Sequence, residues 1–163
     1  MTETTIRTAL ATAVGDVLES MFFLDTLGEA GEPPAGADTV TVHLSFEGDP
    51  AGCFEMRVAR PAATAIAADF LGEDAASLTP QQSADVTLEL ANMICGAVLS
   101  RIESSATFRL GAPRVVADIV ADDTREPWPE ETTRYTVETG SGTLTAAMRM
   151  ETRTCTATEK YAS

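Results

Sequence analysis

The segment DVTLELANMICGAVLSRIES, residues 85–104, governs how the rest of the chain is read. On a helical wheel at about 100° per residue, apolar side chains cover most of its circumference. Val86, Leu88, Leu90, Ala91, Met93, Ile94, Cys95, Ala97, Val98, Leu99 and Ile102 leave one narrow gap. Asp85, Glu89, Asn92, Gly96 and Ser100 fall into it, and Thr87 and Arg101 are the exceptions. The pattern predicts a largely buried helix with one thin polar edge turned outwards. Carboxylates and a carboxamide on successive turns form a compact set of acceptors with one amide donor. Gly96, a turn further on, leaves out a side chain where something could approach, although Gly inside a helix costs about 1 kcal/mol against Ala. The plainer alternative is the ordinary solvent edge of a core helix.

Upstream, Thr79-Pro80 can start this helix, and it is expected to run to about Ser104. PAATAIAADFLG, from Pro61 to Gly72, predicts a shorter helix opened by Pro and stopped by Gly. TVTVHLSFEGDPAGCFEMRVA, residues 39–59, alternates on both sides of a Gly-Asp-Pro-Ala-Gly turn and predicts a hairpin. At the N-terminus, Ile6, Leu10, Val14, Val17, Met21 and Leu24 recur at helical spacing, so residues 5–24 are expected to be helical. Phe22 and Phe23 flank that stripe as packing residues, and GEAGEPPAGAD at 28–38 is a loop. Downstream, TFRLGAPRVVADIVA is extended and interrupted at Gly111–Pro113, DDTREPWPEE is a loop, and residues 133–155 form a second hairpin turning at Gly140-Ser141-Gly142. The order predicts one α+β domain over residues 1–163.

Composition narrows the function classes. The 163-residue chain is 44% hydrophobic, enough for one core, and no stretch approaches the ~20 apolar residues of a membrane span. The N-terminal residues show no basic region followed by an apolar block, so the cytoplasm is the expected compartment. A formal net charge of −14 disfavours nucleic acid and anionic membranes as partners. Cys53, Cys95 and Cys155 are far apart without CxxC spacing and are expected to be unremarkable thiols. His43 is the only histidine, so a histidine metal cluster or a Ser-His-Asp triad has little to draw on, and a structural role is expected for it.

The string Asp85-x3-Glu89-x2-Asn92, continuing as ELANMICG with Pro113 beyond it, resembles the signature of the CheC/CheX/FliY chemotaxis phosphatases. LSFEGDPAGCFEMRVA and the Ala-rich helix ending in FLGED resemble the hairpin and helix of CheX-type members, so the likeness runs over most of residues 5–150. It implies a CheC-like fold: an antiparallel-rich sheet packed by two long helices with an internal pseudo-repeat, its core at about 5–155. In that repeat Glu19 matches Glu89, while Phe22 stands where Asn92 does, which implies one site per chain.

The resemblance implies a phosphatase acting on the aspartyl-phosphate of a CheY-like receiver domain. Asn92 would orient the attacking water, Glu89 would pair with the receiver's lysine, and Asp85, Gly96 and Pro113 would be supporting residues. The protein would bring no cofactor of its own, because the receiver supplies Mg²⁺. Phosphoryl transfer from a reactive acyl phosphate needs charge neutralisation and an aligned nucleophile, so a carboxamide that fixes one water suffices. A homodimer is also implied, with strands at 40–46 and 143–150 as candidate edges. The rival readings are a non-catalytic receiver-binding module using the same helix face and a purely structural dimerisation domain.

Overall fold

In the computed structural model, which describes residues 2–33, 37–48, 51–102, 107–116 and 131–151, the first apolar stripe becomes helix α1, Glu3–Met21. The Thr2 hydroxyl accepts the Thr5 N–H at 3.2 Å, satisfying a donor the first turn leaves orphaned. Ile6, Leu10, Val14 and Val17 are buried as expected. The far end departs from expectation, because the helix stops before Leu24 and Phe23 is exposed rather than packed. The backbone is the cause. Phe22 leaves the helix and is fully buried, Phe23 adopts a left-handed φ of 53°, and the Leu24 N–H returns to the Leu18 carbonyl at 2.9 Å. The left-handed residue thus turns the chain back onto the last turns of the helix.

The expected first hairpin follows as β1, Thr39–Glu47, and β2, Ala51–Ala59. Helix α2, Arg60–Leu71, starts directly from β2 with Pro61 in its first turn and ends at Gly72, whose φ is 66°. A 3-10 turn at Ala75–Ser77 leads into α3, Pro80–Ile102. Thr79 and Gln82 cap α3 reciprocally: the Thr79 N–H donates to Gln82 Oε1 at 2.9 Å, and the Gln82 N–H donates to Thr79 Oγ1 at 3.1 Å. Short strands β3, Arg109–Leu110, and β4, Arg114–Val116, flank the expected break at Gly111–Pro113. The second hairpin is β5, Thr133–Glu138, and β6, Thr143–Glu151. The expected end of the long helix at Ser104, the loop at 122–130, and Cys155 lie outside the described residues.

All six strands pair antiparallel, in the order β3-β1-β2-β6-β5, with β4 also on β1. The candidate edges at 40–46 and 143–150 are therefore interior, because β1 lies between β2 and the β3/β4 strands, and β6 lies between β2 and β5. Even β5 is covered on its outer side. Leu27 N–H donates to the Glu138 carbonyl (2.8 Å), Ala30 N–H to Thr136 (2.9 Å), and Glu138 N–H to Gly28 (3.1 Å).

The internal repeat is visible in the packing. Helix then hairpin occurs as α1–β1–β2 and again as α3–β5–β6, with β2 and β6 adjacent at the sheet centre. Each long helix covers the other unit's hairpin: α1 lies on β5 and β6, while α3 lies on β1, β2 and β4. Val42, Leu44, Phe54, Met56, Leu144 and Met148 point from one sheet face into the core, which Leu10, Leu18, Leu90, Ile94 and Leu99 complete from the helices. Burying such side chains, at about 1.5–3 kcal/mol each, fixes which face of α3 remains outside.

The cysteine expectation holds for Cys95, a buried thiol pushed well above its ordinary pKa by burial. Cys53 corrects it, because this residue is disulfide-bonded. Disulfides depend on proximity in space, which linear spacing does not report.

Candidate functional site

Three sides of α3 are consumed by packing. Val86, Leu90, Ala91, Ile94, Cys95, Val98 and Leu99 are buried, and so is Thr87, whose hydroxyl donates to the Ser83 carbonyl at 2.8 Å. The remaining edge carries the residues singled out from the sequence: Asp85, Glu89 and Ser100 are exposed, and Asn92 and Gly96 are half-buried. Glu89 and Asn92 stand at i and i+3, which places their Cβ atoms about 5–6 Å apart on adjacent turns. Neither makes a hydrogen bond or ion pair with another described residue. Asp85 differs, since Gln81 Nε2 donates to its Oδ1 at 2.8 Å. The edge thus offers one carboxylate and one carboxamide held rigidly at the backbone and free at their tips.

Gly96 sits in open space, and a Cβ there would meet nothing within 4 Å. Among the described residues no packing demand explains the glycine. Pro113 stands apart from the other candidates, between β3 and β4 in the sheet layer. In α1, Glu19 is exposed and Phe22 is buried against Phe70 with ring centroids 4.9 Å apart, so the repeat-related position carries a carboxylate without an amide.

The two long helices run antiparallel. Thr4, Thr5, Thr8 and Thr12 of α1 line one cleft with Ser100 and Arg101 at the end of α3, and Arg101 forms an ion pair with Asp16. The C-terminus of α1 therefore lies beside the first half of α3, where Asp85 and Glu89 are found. Sequence reading missed the apolar group exposed at that end, Met21, Phe23, Leu27, Phe70 and Leu71. The available signal was the lack of a glycine where α1 stops.

Among the described residues no cluster of His, Cys, Asp and Glu could hold a metal ion, and no helix is long and apolar enough to cross a membrane. His43 is buried on the sheet and its pKa is lowered to about 4, first by burial and then by Arg114 and Arg149.

An antiparallel sheet backed by two antiparallel helices, one presenting a carboxylate and a carboxamide to solvent, defines a protein of the CheC-like fold. The chain belongs to the chemotaxis phosphatase CheX family, whose model matches residues 40–121. Solved structures agree on the fold. The chemotaxis protein CheX from Vibrio vulnificus superposes with a TM-score of 0.71 at 19% identity, covering 93% of this chain and 99% of that one. CheX from Desulfovibrio desulfuricans gives 0.65 at 21% identity, with 90% and 99% covered. A CheX–CheY–BeF3–Mg²⁺ complex from Borrelia burgdorferi gives 0.67 at 14% identity, with 88% and 96% covered. No curated protein matches the chain.

Proposed function

We propose that this protein hydrolyses the aspartyl-phosphate of a CheY-like receiver domain, with Asn92 orienting the attacking water and Glu89 engaging the receiver's active-site lysine. The observation that carries this reading is the pair itself: Glu89 and Asn92 project from a helix buried on its other sides, with no partner among the described residues. An unpartnered carboxamide can accept from a water through its carbonyl and donate elsewhere through its NH2. Holding that water in line removes orientational entropy from the barrier, while the receiver's Mg²⁺ and lysine neutralise the phosphoryl charge. The Borrelia relative has been captured with a BeF3- and Mg²⁺-loaded CheY, which supports assigning the metal to the partner.

Asp85, restrained by Gln81, and Gly96, open to approach, are supporting residues here, and Pro113 contributes through the sheet. The reading also takes the chain as one domain acting in the cytoplasm and as a homodimer.

Decay of a phosphorylated receiver, measured with and without the protein, tests the activity. Wild type should accelerate decay. Glu89→Gln should weaken both receiver binding and turnover, and Glu89→Lys should go further by setting two cations against each other. Ser100→Ala, two turns from Asn92 on the same edge, should change little. Wild-type protein that accelerates no cognate receiver would leave the pair as a binding surface, the non-catalytic alternative.

A further inference from the structure

Phe23 combines two features that a lone domain would discard. It is 84% exposed, and its φ of 53° places it where helices normally end on glycine. Helix α2 of the same chain follows the usual pattern with Gly72 at φ 66°. A non-glycine residue in this region is strained, and an exposed ring recovers little by burial. Fixed beneath it, Phe22 packs on Phe70 with centroids 4.9 Å apart, which joins the ends of α1 and α2 into one surface. Met21, Phe70 and Leu71 are large apolar side chains exposed at these two helix ends, and Leu27, four residues beyond Phe23 and against the β5–β6 turn, is 68% exposed.

The charge around this surface is of one sign. Glu19, Asp25, Asp69, Glu73 and Asp74 are all exposed, and none has an ion-pair partner among the described residues. No Lys or Arg occurs in residues 8–56 or 61–100. Two copies meeting through this face would set acid against acid, and an anionic membrane would be repelled for the same reason. The complementary occupant is a protein surface with an apolar recess rimmed by Lys and Arg. Because α1 runs back along α3 from the C-terminal end of that helix, and residues 72–79 join the end of α2 to the start of α3, the patch lies towards the half of α3 that carries Asp85 and Glu89.

We infer that Phe23 and its apolar neighbours form a second docking contact, which receives a basic-rimmed apolar surface of the same receiver domain that meets Glu89 and Asn92. This rests on the proposed phosphatase function for the identity of the partner. Aromatic side chains in such settings dominate binding energy, and the acidic rim adds salt-dependent attraction.

Phe23→Gly is the decisive variant, because glycine relieves the backbone and should hold or raise the thermal midpoint. The probe is a CheY-type receiver of the same genome, loaded with beryllofluoride and Mg²⁺ for binding and phosphorylated for turnover. Phe23→Gly should raise Kd and KM about tenfold or more with kcat preserved at saturation, and the remaining affinity should depend less on salt. Leu27→Ser should act in the same direction. Unchanged Kd and KM in Phe23→Gly, alongside active wild type, would overturn this inference alone. Wild type that neither binds nor dephosphorylates any receiver would overturn the function together with the occupant named here. A self-association lost in Phe23→Gly would assign the patch to a second copy instead.

Discussion

His43 lies on the sheet face away from the helices, opposite Glu55 on β2 and Arg114 on β4, and is 6% exposed. Burial and the guanidinium groups of Arg114 and Arg149 lower its pKa from 6.5 to about 4. The unfolded chain therefore binds a proton between about pH 6.5 and 4 that the folded chain does not. The resulting stabilisation is complete above pH 6.5 and is lost as the pH falls through 4, by up to about 3 kcal/mol. Urea unfolding at pH 7.5 and 5 should show a steeper loss for wild type than for His43→Thr, and equal slopes would contradict this origin. Gly96 gives a prediction of opposite sign. A methyl group there meets nothing, so Gly96→Ala should stabilise the fold by about 1 kcal/mol and raise Tm by a few degrees. If a partner closes over this edge, the same variant should lose turnover. Both residues were conspicuous in the sequence, one as the sole histidine and one as a glycine inside a helix, but only the packing separates a structural histidine from an uncrowded glycine.

At the scale of elements, helices were the most legible parts of the chain. The periodicity of residues 85–102 was strong enough to name both the buried faces of α3 and its outward edge. Strand existence was equally readable from alternation, whereas strand order was not. A strand's neighbours depend on where the chain returns, so β1 and β6 looked like edges and are interior. The end of α1 failed for a different reason: the sequence offers no glycine to mark the left-handed residue that stops it. Between β2 and β6 the close approach is set by Gly52, where a Cβ would fall 2.1 Å from the Arg149 carbonyl oxygen. Because the opposing atom is backbone, Gly52→Ala should lower the urea midpoint, at a cost of about 1–3 kcal/mol. An unchanged midpoint would mean that the β2/β6 pairing can spread without loss.

Across the whole molecule, two helix–hairpin units exchange helices over one sheet, so neither unit buries its own core alone. That architecture was legible only through the family signature, since composition and periodicity stop at one α+β domain. Self-association is constrained by the same topology. Segment 27–30 occupies the outer edge of β5, which leaves the β3/β4 side as the sheet edge without a strand partner among the described residues. Light scattering at micromolar concentration should return the dimer mass. Charge reversal of Arg114 to Glu on β4 should shift it towards monomer, and a monomer mass for wild type at all concentrations would exclude the homodimer. The central chemical claim is more sharply tested at Asn92. The decisive measurement is the single-turnover decay of a phosphorylated receiver with Asn92→Ala, taken beside the affinity of that variant for the beryllofluoride-loaded receiver. A carboxamide that only positions water predicts near-wild-type affinity with acceleration abolished, a loss of several kcal/mol of transition-state stabilisation at ~1.4 kcal/mol per tenfold. Wild-type rates in Asn92→Ala would contradict the mechanism outright.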